Sequence, residues 1–222
     1  LENVNIDIKS GMTVGIIGGT GSSKSSLVQL IPRLYDVTEG SVLVGGVDVR
    51  EYDIKTLRDS VAMVLQKNQL FSGTIKENLR WGNENATDEE IRYACKLAQA
   101  DDFIQTFPDG YDTYIEQGGT NVSGGQKQRL SIARAICKEP DIYIFDEATS
   151  NVDVESENKI MEVVHELAHQ KTVILISHRL ANVVAADCIY VMRSLDEMDA
   201  EFAADRDMDQ KSDSGVELKN YR

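Results

Sequence analysis

A glycine- and serine-rich stretch, "GGTGSSKSS" at residues 18–26, nearly matches the pattern of a phosphate-binding loop. That pattern is Gly, any four residues, Gly, Lys, and then Ser or Thr. Gly18, Lys24 and Ser25 fit, whereas Ser23 stands where the second glycine is usual. Backbone N–H groups of such a loop bind phosphate oxygens, so we expect Lys24 at the β- and γ-phosphates and Ser25 at Mg²⁺. The alternative is a flexible Ser/Gly turn.

Two acids, Asp146 and Glu147, directly follow the apolar run "IYIF". A carboxylate at the end of a buried strand can hold Mg²⁺, directly or through water. Its neighbour can act as the general base on a water that attacks a γ-phosphate. The alternative is a pair of solvated acids at a strand end.

A second glycine pair occurs in "NVSGGQKQR" at residues 121–129, where Ser123 precedes a predicted helix. Free N–H groups at a helix start form an anion site. Because one domain rarely needs two such sites for one triphosphate, this second site suggests a nucleotide held by another copy or by a partner. The alternative is an ordinary serine N-cap.

Strands that alternate with helices must position these groups. The patterns predict strands at 4–8, 13–17, 141–147, 172–177 and 188–192, a hairpin at 41–49, a turn at 107–112, and helices at 24–35, 87–100, 124–137 and 152–170. This alternation predicts an α/β fold with a largely parallel sheet covered on both faces. Ligands of such sheets lie at the carboxyl ends of the strands, where 18–26, 146–147 and 177–178 all fall.

Composition limits the class of protein. A net charge of −14 argues against nucleic acid as the partner, because phosphate backbones are bound by Lys and Arg. Cys95, Cys137 and Cys188 form no Cys-x-x-Cys pair and are expected to be reduced, buried thiols of a cytosolic protein. No apolar run reaches the roughly 18 residues needed to span a bilayer. The chain starts at Leu1 without Met, which we interpret as a trimmed sequence.

Five stretches occur in the order and spacing of the ATP-binding cassette (ABC) ATPase, the motor domain of ABC transporters. They are "GGTGSSKSS", "VLQKNQLFSGTIKENL", "VSGGQKQR", "IYIFDEATSNVD" and "ISHR". The resemblance covers residues 1–192, and "LFSGTIKENL" resembles the exporter branch. It implies an α/β P-loop NTPase with a mostly parallel sheet flanked by helices, a small antiparallel β part, and a helical subdomain at about 68–138 that carries the signature motif "VSGGQKQR".

The same resemblance implies a role for each matching residue. Residues that resemble the phosphate-binding set are Gly19, Thr20, Gly21, Ser22, Ser23, Lys24, Ser25 and Ser26. Residues that resemble Mg²⁺ ligands are Ser25, Gln66 and Asp146, and Gln66 also resembles the sensor of the membrane partner. Residues that resemble the part closing over the opposite subunit's ATP are Ser123, Gly124, Gly125 and Gln126, with Asp153 in the loop that communicates across the dimer. Glu147 resembles the catalytic base and His178 the switch histidine at the γ-phosphate, and Lys24 and Gln66 complete the catalytic set.

The implied function is an ATP-binding and ATP-hydrolysing motor domain of an exporter, with ATP and Mg²⁺ as cofactors. The implied partners are a second ABC ATPase domain, identical or different, and a transmembrane domain, at the cytoplasmic face of the cell membrane. Two alternatives are a soluble cassette ATPase of DNA repair or translation and a non-hydrolytic module that dimerises on nucleotide binding.

Three features depart from the resemblance. "HELAH" at 165–169 matches a zinc motif in which His165 and His169 would bind the metal, but no convincing third ligand follows, so we expect an ordinary helix remote from the nucleotide. The aromatic residue that stacks on adenine in this family would precede Leu1. Residues 193–222 form an atypical acidic tail, expected to be solvated helix or disorder, and we favour unrelated sequence joined to the domain. The alternative is a displaced N-terminal strand at 215–220, in which Tyr221 replaces the adenine platform.

Overall fold

The computed structural model of the chain describes residues 1, 4–19, 21–168 and 170–193. The expectations for Thr20, for His169 and for the tail beyond 193, including 215–220 and Tyr221, concern positions outside these ranges. Within the ranges, no helix is both long enough and apolar enough to cross a membrane.

Five parallel strands form the central sheet, in the spatial order β4-β7-β8-β1-β9. Their bounds are β1 Thr13–Gly18, β4 Val61–Val64, β7 Ile142–Asp146, β8 Thr172–Ile176 and β9 Cys188–Met192. Two short antiparallel pairs join β2 Leu43–Val44 to β3 Val47–Asp48 and β5 Gly73–Thr74 to β6 Tyr114–Ile115. The mostly parallel sheet and the hairpin at 41–49 predicted from the sequence are confirmed.

Seven α-helices are present in the described part of the chain. Their bounds are α1 Lys24–Gln29, α2 Ile54–Asp59, α3 Ile75–Arg80, α4 Asp88–Leu97, α5 Asp101–Ile104, α6 Gly124–Lys138 and α7 Val154–Ala168. Three 3₁₀ turns lie at Gly110–Asp112, Gln117–Gly119 and Leu180–Asn182. A reciprocal capping box between Thr87 and Glu90 begins α4, as their spacing predicts.

Alternating side chains of the buried strands pack into two separate apolar cores, one on each face of the sheet. On β8, Val173 and Leu175 join the larger core beneath α3, α4, α6 and α7, whereas Ile174 and Ile176 join the smaller core beside α1. This period of two is what strands covered on both faces require. The sheet is therefore a rigid platform for the loops that leave its edge.

Two predicted elements are wrong. Residues 4–8 form no strand, although Ile8 packs on the smaller core; alternation alone does not supply the neighbouring strand that a ladder needs. The helix predicted at 24–35 ends at Gln29 and continues as turns. Pro32 disfavours helical geometry in the residue before it, and Arg33 then adopts a left-handed φ of 52°.

The prediction of three buried cysteines is correct for Cys95 and Cys137 and wrong for Cys188, which is partly exposed on β9. Burial raises the pKa of the Cys95 thiol to about 12 and that of Cys137 to about 11, so both remain protonated at neutral pH. All three are free cysteines.

Strand register brings the polar segments to one edge of the sheet. Ile176 of β8 lies opposite Ile16 of β1 on one side and opposite Asp146 of β7 on the other. On the far side of β7, Val64 pairs with Phe145. The chain therefore leaves neighbouring strands at the same level towards Gly18, Gln66, Glu147 and His178, which confirms the convergence predicted from the strand ends.

Candidate functional site

The loop between β1 and α1 closes tightly around Lys24. The Lys24 ammonium donates to the carbonyl oxygens of Gly18 and Gly19 at 2.8 Å each and to the Ser22 hydroxyl at 3.1 Å. Only 6% of Lys24 is exposed. A side chain at Gly18 would meet the Met192 carbonyl oxygen at 2.2 Å, so the strand β9 leaves room there for glycine alone. The loop is thus a shaped cradle with a cation at its centre.

Ser23 occupies the position where the usual pattern has glycine, and its backbone explains that preference. Its φ of 62° and ψ of 24° are left-handed, and its side chain makes no cap bond to α1. An L-residue in this conformation costs about 1–2 kcal/mol relative to glycine. The loop therefore keeps the left-handed geometry although this position holds serine instead of glycine.

Ser25 and Asp146 form an oxygen pair beside the loop. Asp146 is 5% exposed at the end of β7 and hydrogen-bonds with the Ser25 hydroxyl. Burial raises the pKa of Asp146, opposed by that hydrogen bond and by the charge of Lys24. A hydroxyl and a carboxylate are hard oxygen donors of the kind that Mg²⁺ selects, so this pair fits the implied metal.

Glu147 lies between two predicted site residues. Its carboxylate accepts a hydrogen bond from the Gln66 amide at 2.6 Å and contacts the Nε2 of His178 at 2.6 Å. Its backbone has a left-handed φ of 50°, and its N–H donates to the Ile176 carbonyl at 3.0 Å. Strain of this kind persists only where surrounding structure fixes it, and it turns the side chain of Glu147 away from the line of the strand.

The second glycine-rich helix start, at residues 123–126, is built differently. The Ser123 hydroxyl accepts from the Gln126 N–H at 3.2 Å, while the Gln126 side chain accepts from the Ser123 N–H at 2.9 Å. This reciprocal capping box satisfies the N–H groups of Ser123 and Gln126 from the helix's own residues. A side chain at Gly125 would lie 2.9 Å from the Asn151 carbonyl oxygen, so α6 passes very close to the 149–153 segment.

Gln128 is a residue that the motif analysis missed. It is 1% exposed, accepts from the Asn151 N–H at 2.9 Å, and donates to the Glu147 carbonyl oxygen at 3.4 Å. It thus ties α6 to the segment that follows Asp146 and Glu147. Asp153, at the end of that segment, accepts from the Ser156 N–H at 2.9 Å, and this bond lowers its pKa.

Glu157 is the second residue that was missed, and its position in the sequence carries a signal. Glu157, Ile160, Val164 and Ala168 are the buried residues of α7, spaced as one helical face. An acid on an apolar stripe requires a partner, because burying an unpaired charge is costly. Its partners lie in the loops that follow β7 and β8.

The zinc motif at 165–169 is only partly within the described structure, since His169 lies outside it. Among the residues that the structure does describe, no three His, Cys, Asp or Glu side chains are grouped to hold a metal ion.

Comparison with known proteins places this geometry in a family. The family model described as "ABC transporter" matches residues 1–150 of the chain. The chain belongs to the ABC transporter family. The resemblance drawn from the five motifs is therefore confirmed. The observed sheet is the nucleotide-binding fold of that family.

Similar proteins are exporters. YgaD of Bacillus subtilis (strain 168), described as a multidrug export ATP-binding/permease protein, is 48% identical over 87% of this chain and 33% of its own length. A protein of the same description from Staphylococcus aureus (strain NCTC 8325 / PS 47) is 45% identical over 87% of this chain and 34% of its own length. The chain thus spans about a third of the length of these relatives.

A solved structure, "Structure of a bacterial Atm1-family ABC exporter with ATP bound", matches with a TM-score of 0.80 and 35% identity. The match covers 91% of this chain and 38% of that one. The exporter-type assignment drawn from the motifs is confirmed, and the soluble alternative is not favoured.

Proposed function

We propose that this domain binds ATP with Mg²⁺ and hydrolyses it as the motor of an exporter. The observation that carries the proposal is Glu147, which lies within 2.6 Å of both Gln66 and His178 and directly follows the Asp146–Ser25 pair. A base, two polar groups that orient it and a metal-binding pair at one sheet edge are the parts that phosphoryl transfer to water requires.

Each part has a chemical role. Lys24 would exchange its loop carbonyl partners for β- and γ-phosphate oxygens, and the loop N–H groups of residues 19–26 would surround the same phosphates. Ser25, Asp146 and Gln66 would hold Mg²⁺, which when bound neutralises charge on the β- and γ-phosphates. Glu147 would accept a proton from the attacking water, and His178 would donate a hydrogen bond to the γ-phosphate.

A second copy of the domain is the proposed source of the other anion site. Ser123 and Gln126 hydrogen-bond to each other, and Gly124 and Gly125 lie against Asn151 of the 149–153 segment, while Lys24 lies in a loop of its own. Two copies facing each other would add the helix start of one to the loop of its partner. Asp153 directly follows Val152, whose Cα lies 4.0 Å from a side chain built at Gly125, and it would sense the partner from there.

A membrane domain is the proposed third component, which would hold this domain at the cytoplasmic face of the membrane. The relatives are ATP-binding/permease proteins, and this chain matches only about a third of their length. A groove between the end of β4 and α6 exposes Phe71 and Trp81, stacked at 4.7 Å, and is also lined by Leu65 and Lys67. Those two residues flank Gln66, so an occupant of the groove would act on the segment that reaches Glu147.

Substitution of Glu147 tests the proposal. Glu147→Gln should bind a fluorescent ATP analogue as tightly as the wild type, while phosphate release falls by on the order of 1,000-fold, because the base is lost. Glu162→Gln, an exposed acid on α7, is the matched control. Full phosphate release by Glu147→Gln would remove Glu147 as the base, and no release by the wild-type chain would contradict hydrolysis.

For the membrane partner, Trp81→Ala should leave the basal rate of the isolated chain unchanged. The same substitution should abolish stimulation of the rate when the membrane domain is added. Unchanged stimulation would exclude the groove as the docking surface.

A further inference from the structure

Glu157, in the first turns of α7, is a buried carboxylate to which three side chains from two loops converge. It is 3% exposed. It accepts hydrogen bonds from the Thr149 hydroxyl at 2.8 Å and from the Asn182 amide at 2.9 Å, and it pairs with the Arg179 guanidinium. Thr149 and Asn182 share one carboxylate oxygen and Arg179 binds the other, so a shift of the carboxylate would weaken bonds on both sides.

The two loops are those that carry the catalytic pair. Thr149 lies two residues after Glu147, in a turn closed by the Ser150 N–H bond to the Glu147 carbonyl at 3.1 Å. Arg179 is the residue after His178. Glu157 therefore joins the backbone that presents the base to the backbone that presents the histidine.

Apart from the His178–Glu147 contact, the other side-chain hydrogen bonds described for residues 177–183 are local. The Arg179 N–H donates to the Ser177 hydroxyl at 3.0 Å, and the Asn182 amide reaches the same hydroxyl at 3.4 Å. These bonds stay within the loop, whereas the bonds to Glu157 cross to α7. Side-chain exposure is 48% for His178 and 54% for Arg179, so packing alone does not hold them.

We propose that Glu157 is a positioning residue that sets the distance between His178 and Glu147. It acts through Arg179, Asn182 and Thr149, its side-chain partners. The inference rests on the proposed hydrolysis at Glu147. Geometry of this kind matters because a misplacement of about 1 Å can cost on the order of 100-fold in rate.

Glu157→Gln is the decisive variant, because it keeps the shape and the acceptor oxygen but removes the charge facing Arg179. We expect kcat for ATP hydrolysis to fall by about ten- to a hundred-fold, with KM changed less than about threefold, since phosphate binding residues are untouched. Glu155→Gln is the matched control: its side chain is 81% exposed on the same turn and pairs only with Lys159 among the described residues. It should behave as wild type.

Arg179→Met provides a second route, because it removes the guanidinium that pairs with Glu157. Thermal melting checks that the variant folds, since it leaves a buried carboxylate without its charged partner. If Glu157 acts through Arg179, the double variant should be no slower than the worse single variant, which is the non-additivity expected of residues in one network. Multiplied losses would show that the two act separately and would overturn the proposal.

Hydrogen–deuterium exchange without nucleotide gives a readout independent of hydrolysis. In Glu157→Gln, the amides of 177–183 and 147–151 should exchange faster, while those of β8 and the middle of α7 should match the wild type. Faster exchange throughout α7 would indicate a general structural role and would contradict the inference. Equal kcat in Glu157→Gln and Glu155→Gln would overturn it alone, whereas a wild-type chain that releases no phosphate would overturn the proposed function and this inference together.

Discussion

The chain has two glycine-rich helix starts, at α1 and at α6, and they differ in whether a side chain caps the helix. At α1 the loop is strained and uncapped: Ser23 is left-handed, and the buried Lys24 is bound by loop carbonyls. At α6 the helix is capped by its own residues, Ser123 and Gln126, and lies partly exposed. A strained loop with a central cation can enclose an anion. A capped helix start can contact an anion only along its exposed side.

The surroundings of the two sites differ in the same sense. The first loop is completed by its own sheet edge, through Asp146 and the neighbouring β9 carbonyl at Gly18. The second is braced from behind by Gly125 and Gln128 against the 149–153 segment. One site is therefore a pocket within the chain, and the other is a surface supported from within, as a contribution to a partner's pocket requires.

The largest effect is expected on ATP binding, when the lysine at each helix start is removed in turn. Lys24→Ala should weaken ATP binding by roughly 10- to 100-fold, because it removes charged hydrogen bonds to phosphate. Phosphate release should fall further, by on the order of 100-fold or more. Lys127→Ala, in the other helix start, should change binding less than about threefold. Equilibrium binding of a fluorescent ATP analogue measures both, and equal losses would contradict the distinction.

Gly125→Ala tests the support behind the second site. An added methyl would meet the Asn151 carbonyl oxygen at 2.9 Å, so we expect the free energy of unfolding to fall by about 1–3 kcal/mol. At Gly124 the nearest atom is 3.8 Å away, an ordinary contact. Gly124→Ala should stay within about 0.5 kcal/mol of wild type. Urea denaturation compares the two, and similar values would disprove the close packing.

Serine at the two helix starts should respond with opposite signs. Ser23→Gly relieves a φ of 62° and should raise the free energy of unfolding by about 0.5–1 kcal/mol, after the added entropy of the unfolded chain is subtracted. Ser123→Ala removes a cap and should lower it by about 1 kcal/mol. Changes of the same sign in thermal unfolding would contradict the structural contrast.

The smallest effect is a pH dependence with opposite slopes. Burial raises the pKa of Asp146 above 3.8, so its charge costs stability increasingly as the pH rises through that raised value. Asp146→Asn should therefore gain stability relative to wild type as the pH rises above 3.8. The Ser156 N–H lowers the pKa of Asp153 below 3.8, so the stability it adds is present above 3.8 and lost in acid.

Asp153→Asn should accordingly lose stability relative to wild type at neutral pH and approach it in acid. Melting curves in a chelator, without nucleotide, measure both variants. If the stability difference from wild type changed with pH in the same direction for both variants, the opposite pKa shifts of Asp146 and Asp153 would be contradicted.

Much of this fold follows from local patterns. Apolar runs such as 172–176, buried on both faces, predict strands, and the Thr87–Glu90 spacing predicts a helix start. The segment at 4–8 shows the limit, because alternation describes a strand's surface but not its neighbour. The helix predicted at 24–35 shows a second limit of local patterns, because Pro32 and the left-handed Arg33 end it early.

The candidate site was predicted where residues act through a motif and missed where they act through tertiary contacts. Lys24, Asp146 and Glu147 stand at fixed spacings in recognisable stretches. Gln128 and Glu157 have partners 19 to 25 residues away, which no local pattern reveals. Their signal is weaker: a polar side chain on the buried face of an amphipathic helix, which must have a partner. The individual roles inferred from the motifs, and the helical subdomain at 68–138, stay predictions.

Mixing two inactive variants tests most directly whether the two helix starts of different copies share one nucleotide. Lys24→Ala damages only the loop, and Ser123→Arg damages only the presented helix start. When the two purified variants are mixed, half of the pairs contain one undamaged composite site, so phosphate release should return to about a quarter of the wild-type rate. A mixture as inactive as its separate components would contradict the shared site.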